Sequence, residues 1–156
     1  MKRGLDRAIT AVRNEDARAV DKLTKWLGVN SSNQQQQILG ILIAARGLAD
    51  SVTFACDMIN DSNTFEDAVA SAEGGHELLF TAKYFSYPEV GVISRPIIFF
   101  HEMTHLPDVA NANSNGVPAE LYKEDEVLQL ATDRPDDARR NASNYHYFLG
   151  DFLYGN

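Results

Sequence analysis

One cysteine, Cys56, is all the chain of 156 residues contains, and a lone thiol excludes an intramolecular disulfide. It also excludes a metal site built from several thiolates, so any metal must be held by His, Asp and Glu. Basic residues are outnumbered by acidic ones, 14 against 22, which leaves a net charge of −8. Nucleic acid and anionic membrane surfaces both demand a basic face, and neither is an expected partner. No apolar run approaches the length needed to cross a bilayer. The basic start Met1-Lys2-Arg3 is followed by no apolar signal stretch. The expected location is therefore cytoplasmic, or outside the cell by export without a recognisable signal peptide, or that of a mature fragment. Three Asn-x-Ser sequons, at Asn30, Asn60 and Asn141, matter only in a secretory pathway.

What is present is ordinary globular composition, 44% hydrophobic and 23% charged, in a length that suits a single domain over residues 1–156. Apolar residues at helical spacing predict a helix over 3–13 (Leu5, Ile9, Val12) and a second ending near Leu27 (Val20, Leu23, Trp26), with Gly28 as its stop. A third is predicted from Gln34 to Asp50 behind a capping Asn30–Asn33 loop. Val52–Cys56 reads as a strand, as does Glu77–Phe85, with a helical turn at Phe65–Ala72 between them. Further helices are expected over 97–105, 121–131 and 136–152. Pro96 suits the start of the first of these, and Pro107 follows its end.

That helix carries His101-Glu102-Met103-Thr104-His105. Two imidazoles at i and i+4 lie on one helical face, where both can reach one metal ion, and Glu102 can face a water on that metal. Zinc lowers the pKa of such a water, and the carboxylate can take its proton as a peptide carbonyl is attacked. The pattern also occurs by accident, with the histidines as ordinary surface or core residues. The other two histidines carry weaker signals. His146, among Tyr145, Tyr147 and Phe148, reads as a packing residue, and His76, after Gly74 and Gly75, as an exposed loop residue. Cys56 reads as a small buried hydrophobe.

The wider chain resembles the deuterolysin and peptidyl-Lys metalloendopeptidase family, the aspzincins. Phe80–Pro88 resembles the family segment that ends in Phe-Phe-x-Leu-Pro. Gly116–Lys123 stands in the place of the family's Gly-Thr-x-Asp-x-x-Tyr-Gly, and Glu126–Ala131 in that of the next helix. Pro135–Phe148 resembles the closing Ala-x-x-Asn-Ala-Asp-x-Tyr-x-Tyr-Phe. The resemblance implies a mainly α, zincin-like α+β fold: a helical bundle with a small β-sheet and an HExxH active-site helix. It implies a zinc cofactor and endopeptidase activity on peptide or protein substrates, in a family whose relatives are secreted. Oligomeric state is not implied.

The departures bear on activity. The family's third zinc ligand, an aspartate, falls on Ala119, which cannot ligate metal. Tyr122, which stabilises the oxyanion in the family, is kept. The family's Asp in Asn-Ala-Asp is Ser143, and its disulfide cysteines are missing apart from Cys56. Glu120, beside the vacant position, could complete a His101, His105, Glu120 set, or could equally be a solvated carboxylate at a helix start. Asp108 could reach the metal if the chain turned at Pro107, although an exposed turn is its more ordinary role. The expectation is a zinc endopeptidase with Glu102 as general base. The alternative is an impaired relative, a binding protein or effector without the third ligand.

Overall fold

The computed structural model describes residues 1–57, 68–70 and 76–155. Helix α1 (Lys2–Arg13) buries Leu5, Ala8 and Val12, one stripe at helical spacing. Asp16 then starts α2 (Ala17–Leu27), its carboxylate accepting from the amides of Arg18 and Ala19. Gly28 ends that helix at φ +58°. A side chain there would meet Pro135 and come within 2.6 Å of the Ala131 carbonyl, so glycine is needed for both conformation and space. Ser31 caps α3 (Ser32–Leu48), which begins two residues before the expected start and buries Ile38, Leu39, Leu42 and Ala45.

Strands β1 (Thr53–Asp57), β2 (Ala68–Ala70) and β3 (Glu77–Thr81) form one sheet in the order β1-β3-β2. Thr53 pairs with Glu77 in the parallel β1–β3 ladder, and Ala68 with Phe80 in the antiparallel β2–β3 ladder. The helical turn expected at Phe65–Ala72 gives way to strand over Ala68–Ala70; its remaining residues, like Asn60, lie outside the described residues. So does the side chain of Cys56. Strand β3 stops at Thr81 and does not run to Phe85, because the chain coils into a 3-10 turn over Ala82–Ser86. That turn brings Tyr84 onto Phe80, with ring centroids 4.2 Å apart.

Helix α4 (Arg95–His105) carries the histidine pair. Ile97, Phe100 and Met103 are almost fully buried, each contributing about 2 kcal/mol of apolar burial. Phe99 stacks on Phe80 of the sheet, at 5.7 Å, while the helix also packs on α7 (Ala142–Tyr154). The histidines thus stand on an element fixed from two sides. Helix α5 (Glu124–Asp133) starts three residues later than expected, where Glu124, Asp125 and Glu126 place acidic groups in the first turn. The last predicted helix is two: α6 (Pro135–Ala138), then α7 after a break at 139–141. Ala19, Leu23, Leu42, Phe100, Tyr145 and Phe148 lie in one buried cluster that runs from α2 and α3 through α4 to α7. The architecture is mainly helical with a small sheet. Among the described residues no helix is long and apolar enough to cross a membrane.

Candidate metal centre

Helix α4 presents His101 and His105 to the segment that leads into α5. The two imidazole centroids lie 5.2 Å apart with the rings 75° to one another. Glu120 approaches both. Its Oε1 is 3.2 Å from His101 Nε2 and its Oε2 is 3.6 Å from His105 Nε2. Ala119, at the family's ligand position, is exposed, whereas the Glu120 side chain is only 13% exposed. Glu120 also lies four residues ahead of α5, so it does not stand at a helix start. Asp108 turns to the surface, where its Oδ2 meets His76 Nε2 at 2.9 Å.

Two neighbouring groups set the orientation of the site. The Ala112 carbonyl lies 3.0 Å from His105 Nδ1, and since a carbonyl only accepts, Nδ1 carries the proton and Nε2 offers its lone pair to the centre. The Tyr122 hydroxyl donates to Glu120 Oε2 at 2.8 Å. Glu102 is 5% exposed, with Oε1 3.7 Å from His101 Nε2. His146, from α7, sets its ring edge-on to His101 at 5.8 Å and also packs on Tyr147, the packing role its neighbours in sequence predicted. The Ala112 contact and the asparagines around it were not singled out by sequence. Their one signal is the density of Asn between 111 and 115, a residue that tolerates left-handed backbone; Asn111, Asn113 and Asn115 all adopt positive φ.

Protonation suits a cation. Burial pushes the His105 imidazole below its ordinary range, outweighing the attraction of Glu120. Burial pushes Glu120 upward, but its bond with His101, the charges of His101 and His105 and the Tyr122 hydroxyl together hold it below the usual carboxylate range. A neutral imidazole and an ionised carboxylate are the forms that ligate metal. The spacing suits zinc as well. The donor atoms of His101, His105 and Glu120 all lie within 4.8 Å of one another. Tetrahedral zinc with bonds near 2.0–2.1 Å separates its ligand atoms by about 3.3–3.4 Å, close to the two His–Glu distances here.

Comparison with known proteins agrees with this chemistry. The aspzincin family model, described as lysine-specific metallo-endopeptidase, matches residues 12–150. No curated protein matches the chain. Six chains of solved structure do. One is a zinc peptidase from Grifola frondosa, with a TM-score of 0.68 at 20% identity, covering 96% of this chain and 94% of that one. At that identity the likeness establishes the shared fold, while the family match spans nearly the whole sequence. The chain belongs to the aspzincin family of zinc metallopeptidases, whose substrates are peptides or proteins.

Proposed function

We propose that the protein is a zinc-dependent endopeptidase in which His101, His105 and Glu120 hold the metal and Glu102 is the general base. The observation that carries this reading is the approach of one carboxylate to both imidazoles, at 3.2 and 3.6 Å. It supports an active enzyme over an impaired relative, because the ligand set lacking at Ala119 is made up by the next residue.

When bound, zinc supplies Lewis acidity, acidifying a water and polarising a carbonyl. Glu102, next to His101 and nearly buried, draws the proton from the attacking water and hands it to the departing amine nitrogen. Tyr122, at the open rim of the site, turns its hydroxyl proton from Glu120 Oε2 to the carbonyl oxygen as that oxygen gains charge. His105 keeps its ring fixed through Ala112 while substrate arrives.

The test is metal analysis with peptide cleavage. Purified protein supplied with Zn²⁺ at neutral pH should hold about one zinc per chain and cleave an unstructured protein such as casein. Protein that takes up no zinc rules the reading out. Zinc uptake with casein intact at high protein concentration favours the impaired relative.

A further inference from the structure

Glu120 and Tyr122 lie in a segment outside any helix or strand. Such a segment does not by itself hold a carboxylate in place. Its backbone is gripped instead by side chains from the start of α7. Asn141 Oδ1 accepts from the Leu121 amide at 3.2 Å, and Asn141 Nδ2 donates to the Leu121 carbonyl at 3.2 Å. One primary amide thus satisfies both backbone groups of a single residue, as a neighbouring β-strand would. The residues on either side of Leu121 are Glu120 and Tyr122. One turn and a half further along α7, the Tyr147 hydroxyl donates to the Tyr122 carbonyl at 3.1 Å.

The grip is itself braced. Asn144 Oδ1 accepts from Asn141 Nδ2 at 2.7 Å, and both asparagines are fully buried. Asn113 Nδ2 donates to Asn141 Oδ1 at 3.2 Å and to the Pro118 carbonyl at 2.9 Å, while its Oδ1 accepts from the Ala142 amide. Asn141 sits at the N-cap of α7, yet its side chain caps nothing. It forgoes the local bond that its type favours there and turns to the ligand segment.

The geometry points to Asn141 and Tyr147 as positioning residues that hold Glu120 at the metal through the backbone of Leu121 and Tyr122. Neither touches metal or substrate. The inference rests on the ligand reading above. Buried and fully bonded, the Asn141 amide is also closed to glycosylation in the folded chain.

The experiment measures zinc affinity by competition with a chromophoric chelator, and the visible spectrum of the cobalt-substituted protein, on the full chain. Asn141→Ala and Tyr147→Phe are compared with Glu120→Ala, singly and combined with it. Asn141→Ala should weaken zinc binding about 10–100-fold, the range for residues that orient ligands. Tyr147→Phe keeps the ring and removes one bond; it should weaken binding about 3–10-fold, the effect of one hydrogen bond, and it tests the idea if Asn141→Ala fails to fold. In both variants the cobalt bands should change. Combined with Glu120→Ala, either change should add less than about twofold, because sites acting through one another are not additive. Losses as large in the Glu120→Ala background, or no loss in either single variant, overturn the inference alone. Unchanged affinity in Glu120→Ala overturns the ligand reading and takes the inference with it.

Discussion

His101 Nε2 and Glu120 Oε1 stand 3.2 Å apart, joined across 18 residues of chain that include a proline stop and an Asn-rich loop. The carboxylate reaches from the residue after the family's ligand position, and Ala119 points outward. In the proposed ligand set, Glu120 takes the place that Ala119 leaves vacant.

Glu120→Ala should lower zinc affinity about a hundredfold or more, beyond the loss typical of an orienting residue. Ala119→Asp should change it less than about threefold, since the new carboxylate would start on the exposed face and find its place taken. Chelator competition reads both. A large gain from Ala119→Asp would show that the natural chain lacks a third ligand.

Glu102→Gln keeps shape and removes the base. Turnover should fall about 10²–10⁴-fold, the range of a positioned acid–base group, while zinc content stays at the native level. Equal loss of zinc and activity would make Glu102 a binding residue and not the base.

Zinc should stabilise the folded chain without being needed to fold it. Free zinc at 100 times its Kd adds about 2.7 kcal/mol, a rise in Tm of about 5–10 °C for a chain of this size. EDTA should reverse the rise and leave the far-ultraviolet circular dichroism unchanged, because the buried cluster around Phe100, Tyr145 and Phe148 is apolar and includes none of the candidate ligands. Helix loss on chelation would contradict this.

Asp151 on α7 accepts from Lys25 at 2.9 Å and from the Trp26 indole at 2.8 Å, with Lys22 at 3.2 Å. Burial pushes its carboxyl up, but these donors outweigh that and hold it below the ordinary Asp value. Its stabilising contribution is accordingly complete above the unfolded-state pKa, about 3.9, and is lost as pH falls through the lower folded-state value. Asp151→Asn should cost about 2–3 kcal/mol at pH 7, and the gap from the native chain should be narrower at an acid pH below the unfolded-state value of about 3.9. Urea unfolding at the two pH values measures it; a gap that stays as wide in acid would mean the charge is not what matters.

The histidine helix could be read from residues alone. Pro96 opens it, Pro107 follows it, and the apolar run between supplies its buried face. Gly28 and a capping loop over Asn30–Asn33 were legible for the same reason, since local conformation settles them, though the cap within that loop, Ser31, was not singled out. The ligand segment was not. Whether Glu120 faces the imidazoles or the solvent depends on the path from Pro107 to α5, and that path is held by Asn141, 20 residues from the Leu121 backbone it bonds, and by Asn113, which bonds Asn141 across 28 residues. The break before α7 went unseen because Arg139, Arg140 and Asn141 are each compatible with helix. What ends the helix there is long-range: the Arg140 carbonyl is taken by the Asn113 amide, and the Asn141 side chain by Leu121. Glu124–Asp125–Glu126 was an available marker of the true start of α5.

Trp26 stacks on Tyr147 at 4.9 Å, nearly parallel, and Tyr147 grips Tyr122 by its carbonyl. The chain has no other tryptophan. Its indole emission therefore comes from a ring in contact with the residue that grips the loop carrying Glu120, a reporter for loading of the centre that needs no attached label.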